Sequence, residues 1–218
     1  MRPLFHIRTP DMLTLYAIPV SLYCAKLRIT LRAKGLQWQE IPPPGGYGSA
    51  DYKTVVPSGN LPALRDGDLL LADSEAIAEY LNDIHPNPPM LPATPAARAR
   101  MRERGRFHDT RLEPAVRALF GSISSPDPAL SAAQSAKITA HLAQLAQMGL
   151  DDLPFGLGDC GFAITFAWIE ALTSVLGLAI DWPHAVQGYR RRINAEPAVA
   201  AELGAYRPIL AAWLQAAR

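Results

Sequence analysis

Apolar and polar positions change their period several times along this chain. Residues 13–17 alternate as a strand does, and Ile18-Pro19-Val20 interrupts them. From Leu22 the apolar residues recur at helical spacing, 25 with 29 and 27 with 31, up to Lys34-Gly35, a cation in the last turn followed by a helix-ending glycine. Residues 37–41, centred on Trp38, read as a second strand. Strand, helix, strand predicts a parallel pair joined by a right-handed crossover. A proline- and glycine-rich loop, 42–48, precedes a short irregular helix over 49–55. Two apolar runs, 61–64 and 69–72, then flank Asp66-Gly67, a hairpin signal. Pro62, at the entry of the first run, suits an edge or a special turn, and a cis bond fits there. The second run stops at Asp73-Ser74, whose side chains suit a helix start, and Ile77, Tyr80, Leu81 and Ile84 continue as one apolar face.

Five prolines between His85 and Pro95 predict a linker without helix or sheet. Every pattern beyond it is helical: 96–120 with Arg98, Arg102 and Arg106 four residues apart, an alanine-rich segment over 129–148, an apolar one over 161–178, then 183–194, 196–203 and 206–215. The expected organisation is an extension over 1–12, an α/β domain over 13–84, a linker over 85–95 and an all-helical domain over 96–218.

Composition narrows the function classes. With 49% apolar and 19% charged residues among 218, the chain has material for real cores. A formal net charge of +1 makes no general case for nucleic acid or an anionic membrane. The arginine-rich stretch from Arg98 to Arg117 lacks aromatic interleaving and carries Glu103, Asp109 and Glu113 as counter-charges, so a solvated or interfacial face is expected instead. Residues 161–180 reach membrane-spanning length, yet Glu170 at their middle favours a core helix, and no membrane partner is expected. The first twelve residues have no signal-peptide core. Cys24 and Cys160 are too few for a disulfide framework, which fits a reducing cytoplasm. The five histidines form no ligand cluster and no glycine-rich phosphate loop appears, so neither metal nor nucleotide is expected.

The unit Gly59-Asn60-Leu61-Pro62-Ala63-Leu64, then Asp66-Gly67, then Ala72-Asp73-Ser74-Glu75, resembles the glutathione-binding half of the thioredoxin-like domain of glutathione transferases. The resemblance implies a thioredoxin-like α/β domain followed by an all-α domain. It also implies that Leu61, before a cis Pro62, offers its backbone to the cysteinyl part of glutathione, and that Asp73 and Ser74 hold the γ-glutamyl end. Asn60 stands where a lysine or glutamine often reaches the glycine carboxylate. A helix N-terminus is independently a ready anion site. Both acidic and hydroxyl side chains are also ordinary helix caps.

Ser21, in Ser21-Leu22-Tyr23-Cys24-Ala25-Lys26, falls on the catalytic serine of the motif found in tau- and zeta-class transferases. Glutathione reacts as the thiolate, and a serine hydroxyl at a helix entry stabilises that anion by donating to it. Cys24, nearly one turn deeper, and Tyr16, at the strand end, are the competing candidates; both suit packed positions better. The sequence departs from the family pattern at Leu22, where tau members have proline, and at Ile164, where an aspartate is usual; Asp159 is the nearby capping candidate. In the family the electrophile lies against the long helix after the linker, which nominates Phe107, His108 and Arg111. The expected protein is a cytoplasmic, homodimeric glutathione transferase with a detoxifying role, glutathione as co-substrate and a small hydrophobic electrophile as second substrate, the arginine-bearing helix lying near the two-fold axis. A zeta-like glutathione-dependent cis-trans isomerase and a glutathione-binding or scaffolding protein with little turnover are the alternatives.

Overall fold

A computed structural model describes residues 12–218, so the expected extension over 1–12 lies outside the described residues apart from Met12. Four strands, β1 (Leu13–Tyr16), β2 (Trp38–Ile41), β3 (Ala63–Asp66) and β4 (Leu69–Leu71), form one mixed sheet in the order β2-β1-β3-β4. β1 runs parallel to β2, Leu13 opposite Trp38, and antiparallel to β3, Leu15 opposite Leu64. Alternation along β1 separates two cores. Leu13 and Leu15 join Leu64 in the main core, whereas Tyr16 and Ala63 turn to the other face and pack with Tyr52 and Val56.

Three helices accompany the sheet: α1 (Leu22–Ala33), α2 (Ala50–Val55) and α3 (Ser74–Ile84). The β3–β4 turn centres on Gly67-Asp68, one residue beyond the expected Asp66-Gly67, because Asp66 is still paired with Leu69. Gly67 takes φ +56 as the first central residue, a left-handed conformation that glycine adopts without steric cost.

The remaining helices are α4 (Pro95–Phe107), α5 (Glu113–Arg117), α6 (Gly121–Ser124), α7 (Pro128–Leu145), α8 (Phe162–Leu176), α9 (His184–Asn194) and α10 (Pro197–Ala216). Two sequence expectations need correction here. The helix expected over 96–120 is not one regular rod: it widens into a π-turn over His108–Leu112, and the Glu113 N–H reaches back to the His108 carbonyl. Pro114 brings no N–H and so cannot continue the regular ladder, which the wider turn absorbs. Conversely, the segments expected at 196–203 and 206–215 are one helix, α10, with Gly204 and Pro208 inside it. Val199, Leu203, Tyr206, Leu210 and Leu214, three or four residues apart, bury one continuous stripe, and that packing carries the helix through a proline that local propensity reads as a stop.

α1 is sandwiched between the sheet and the helical part, so even its charged residues are buried. Lys26 is 2% exposed, with Nζ 2.7 Å from Glu75 Oε2 on α3 and 2.9 Å from Asp109 Oδ2 in the π-turn. Arg28 donates to Glu202 on α10 at 2.6 Å and to Glu40 at 3.2 Å. These pairs tie the two parts of the chain together at fixed points. The apolar stretch before and within α8, Leu157–Leu176, is long and apolar enough to cross a membrane by composition, yet 67% of its most apolar window is buried inside the protein. Its entry is pressed against α4: a Cβ on Gly158 would stand 2.2 Å from the Met101 carbonyl oxygen, so only glycine permits that approach. Asp159 caps the short turn ahead of α8, accepting the Gly156 N–H at 2.9 Å, while α8 itself begins after Gly161 with no side-chain cap.

Candidate functional site

Two of the helices begin at the same cleft. Ser21 is the N-cap of α1, in extended conformation, and its Oγ accepts the Cys24 N–H at 3.3 Å. Asp73 is the N-cap of α3 and accepts the Glu75 and Ala76 N–H groups at 2.9 Å each, both on Oδ1, so its second oxygen takes no part in the cap. Ser74, 9% exposed, is the first residue of that helix. Beside them the Leu61–Pro62 bond is cis, and the Tyr52 hydroxyl donates to the Asn60 carbonyl at 2.8 Å, fixing the loop from beneath. Ser21, Asn60, Leu61, Asp73 and Ser74 line one cleft of about 580 Å³, while Pro62 is buried behind it. Free N–H groups at two helix starts give this wall a positive bias suited to an anion.

The opposite wall comes from the helical part: Arg106, Asp109, Arg117, Phe120, Trp168 and Trp213. Phe107, His108 and Arg111, nominated from the sequence, are not among the residues that line this cleft. Phe107 packs edge-on against His141 at 5.9 Å and Arg111 is exposed outside the cleft. His108 is 1% exposed, with Nδ1 2.7 Å from Asp109 Oδ1 and Nε2 2.7 Å from Thr165 Oγ1. The physical reason is rotation: neighbours on a helix differ by about 100° in direction, and the cleft face runs through Arg106, Asp109 and Arg117 instead.

The competing nucleophile candidates are placed elsewhere. Cys24 is fully buried, and that burial pushes its thiol pKa up, against the opposing hydrogen bond with Ser21. A thiol so placed is a poor source of thiolate. Tyr16 lies on the far face of the sheet, its ring 5.8 Å from that of Tyr52.

Several cleft residues escaped sequence reasoning. Tyr23 donates to Glu113 Oε2 at 3.1 Å, and burial first, then the Glu113 charge, push its pKa well above the ordinary tyrosine value, so the hydroxyl stays protonated. The available signal was a polar stripe, Tyr23, Lys26 and Thr30, on one face of the first helix. Trp168 and Trp213 left no such signal, because their meeting depends on how α8 and α10 pack.

Asp109 is the electrostatic centre of the cleft wall. Burial alone would raise its pKa, but the hydrogen bond from His108 and the Lys26 ammonium override that and hold it at about 2, against an ordinary 3.8. A carboxyl lowered by folding stabilises the native state above its unfolded pKa and loses that contribution as pH falls through the folded value. Asp109 is thus expected to contribute about 2 kcal/mol above pH 4, lost between roughly pH 4 and pH 2. Acid unfolding of Asp109→Asn, followed by circular dichroism, should lack that component; an unchanged acid limb would refute it.

Among the described residues no group of three or more His, Cys, Asp or Glu side chains is arranged to hold a metal ion. A larger surface groove of about 880 Å³, by the start of α7 and the loop after α8, has one of its two aspartates, Asp127, committed to capping α7.

Residues 15–89 match the family model described as glutathione S-transferase, N-terminal domain. The stringent starvation protein A homolog of Coxiella burnetii is 36% identical over 108 residues, 47% of this chain and 52% of that protein. Glutathione S-transferase Z2 of Arabidopsis thaliana is 42% identical over 84 residues, 37% of this chain and 38% of the relative. In these two the chain thus spans about half of the relative's length or less. Glutathione S-transferase 3 of Zea mays is 31% identical over 207 residues, 85% of this chain and 90% of the relative. In fold, a Bombyx mori glutathione transferase superposes with a TM-score of 0.78 at 19% identity, over 95% of this chain and 98% of that one. The tau-class transferase of Mangifera indica gives the same TM-score and identity over 95% and 99%. Identity sustained over nine-tenths of the maize protein, on a thioredoxin-like sheet followed by helices, establishes that this chain belongs to the glutathione S-transferase family.

Proposed function

We propose that the protein is a glutathione transferase that joins the glutathione sulfur to small electrophiles, with residues 13–84 as the glutathione-binding domain, 85–95 as linker and 96–218 as the helical domain. The observation that carries this reading is the convergence of Ser21, Asn60, Leu61, Asp73 and Ser74 on one cleft. In it, the second oxygen of Asp73 pairs with the γ-glutamyl ammonium while Ser74 and the start of α3 take the γ-glutamyl carboxylate. The backbone of Leu61 meets the cysteinyl unit, and the Asn60 amide reaches toward the glycine carboxylate. Ser21 serves twice. Its oxygen accepts the Cys24 N–H, which fixes its position, and its O–H turns from the neighbouring Cys24 thiol to donate to the glutathione thiolate. The sulfur, its thiol proton already given to solvent, then forms its bond to the electrophilic carbon, and either a leaving group departs with its bonding pair or the π pair shifts to the neighbouring atom, which takes a proton from water. Glutathione is the co-substrate and no metal takes part.

A second reading, binding with little turnover, draws on that same engagement of Ser21 as a cap. Turnover of 1-chloro-2,4-dinitrobenzene with glutathione separates the two: its absence alongside calorimetric glutathione binding supports the second.

Asp73→Ala is expected to weaken glutathione binding by roughly 1.5–3 kcal/mol, the range for hydrogen bonds to charged groups. Unchanged affinity by calorimetry would remove Asp73 from the site. We further take the protein to be a cytoplasmic homodimer with a detoxifying role, the face of α3 and α4 that carries the Glu79–Arg102 pair meeting its copy across a two-fold axis. Light scattering at micromolar concentration should give twice the chain mass; the monomer mass would refute it.

A further inference from the structure

We propose that the aromatic end of the cleft selects flat electrophiles that carry a carboxylate, with Arg117 as the residue that recognises it; this rests on the transferase reading above and names the substrate class of the same site. The wall there is made of rings. Phe120 stacks on Trp168 with centroids 4.4 Å apart and planes at 26°, and Trp213 meets Trp168 edge-on at 5.4 Å. The Trp168 N–H is already given to the Tyr206 hydroxyl at 2.7 Å, and that hydroxyl donates to the Val20 carbonyl at 2.6 Å. The indole, 2% exposed, is therefore a fixed apolar backing on which the half-buried Phe120 and Trp213 present their rings to the cleft, a surface that favours a flat conjugated ring.

Arg117 stands at the edge of this wall. Its guanidinium lies 5.6 Å from the Tyr23 ring centre and 5.5 Å from that of Phe120, and Nη2 pairs with Glu113 Oε1 four residues earlier. Glu113 is 2% exposed, and its other oxygen accepts the Tyr23 hydroxyl. The fork is thus pinned by two rings and one carboxylate. A guanidinium has five N–H donors and one carboxylate engages at most two, so at least three remain on a side chain that is 49% exposed and lines the cleft. A prepositioned planar fork beside an apolar wall matches a ring-borne carboxylate in shape as well as charge. The neighbouring acid is not free to oppose it: Asp109 shares the Lys26 ammonium with Glu75 and has Arg106 3.8 Å away on the same wall.

The test compares 4-chloro-3-nitrobenzoate with its methyl ester. In both, the glutathione sulfur bonds to the chlorine-bearing carbon, chloride leaves with the bonding pair, and the thiol proton passes to water; rates are normalised to the uncatalysed reaction. The unmodified protein should favour the carboxylate. Arg117→Gln should reduce that preference by about 10- to 100-fold, chiefly through KM, the range expected for one charge-assisted contact. Arg117→Lys, which keeps a charge beside Glu113 but lacks the fork, should fall between, and Arg100→Gln, on the exposed side of α4, should match the unmodified protein. Quenching of tryptophan emission by 3-nitrobenzoate against nitrobenzene reads the same selectivity without turnover. An equal preference in the unmodified protein and Arg117→Gln overturns the proposal, as does a glutathione affinity that falls as much as that for 3-nitrobenzoate. Arg117-dependent quenching without turnover of either ester or acid would leave this inference standing and sink the transferase reading; turnover without carboxylate preference would do the reverse.

Discussion

Ser21→Ala is expected to lower the turnover of glutathione conjugation roughly 100-fold, the usual cost of removing one donor aimed at a developing or resident anion. Glutathione affinity should change little, because the lost hydrogen bond belongs to the sulfur and the remaining contacts lie at Asn60, Leu61, Asp73 and Ser74. The direct readout is the ultraviolet absorbance of bound thiolate against pH, whose midpoint should rise in the variant. Part of the change will be structural, since the Cys24 N–H loses its partner and a cap is worth about 1 kcal/mol. Ser21→Thr, which keeps both cap and hydroxyl, controls for that. Cys24→Ala should spare conjugation, because Cys24 is wholly buried and contributes packing. An active Ser21→Ala protein together with an inactive Cys24→Ala one would transfer the role to the thiol.

Asp159→Ala should cost roughly 3–5 kcal/mol of folding stability, the penalty for stripping one partner from a buried ion pair. Asp159 is 1% exposed and serves three donors: Arg104 at 2.9 Å, the Tyr189 hydroxyl at 2.5 Å and the Gly156 N–H at 2.9 Å. Removing it leaves the Arg104 guanidinium buried with only the Met101 sulfur at 3.6 Å and the Tyr189 ring for company. A loss of this size is a large share of the roughly 5–15 kcal/mol that holds a typical domain. Urea unfolding measures it, with Arg104→Met added as a second change: the double variant should recover part of the loss, because it no longer buries an unpaired charge. A loss under about 1 kcal/mol in the single variant would show the network to be dispensable.

Much of the fold was legible because its signals are local. The βαβ start needed only alternation, helical spacing and Gly35 at the end of α1; the hairpin needed Gly67; and α3 needed Asp73 at its cap. These depend on neighbours within a few positions, so the chain declares them in order. Ser21, Asn60, Leu61, Asp73 and Ser74 were legible as candidates because each sits at a cap or a turn in a segment that resembles the family's own. The misplaced boundaries share a different cause. Pro114 and Pro208 are both irregularities in local propensity, yet one widens a helix into a π-turn and the other is carried through by the buried stripe of α10.

By itself, then, the order of residues determined the strands, most of the helices outside the π-turn and α10, the cap positions of α1 and α3, and the identity of Ser21, Asn60, Leu61, Asp73 and Ser74 as candidates. Tertiary structure alone decided which face of α4 and its π-turn meets the cleft, setting Arg106 and Asp109 there and turning Phe107, His108 and Arg111 away. It also brought Phe120, Trp168 and Trp213 together from three distant segments and folded Lys26 beneath Glu75 and Asp109. Such contacts are set by helix rotation and interaxial packing, where a shift of one residue turns a side chain by about 100°. That rotation is fixed by burial summed over whole helices, which no short stretch of sequence contains.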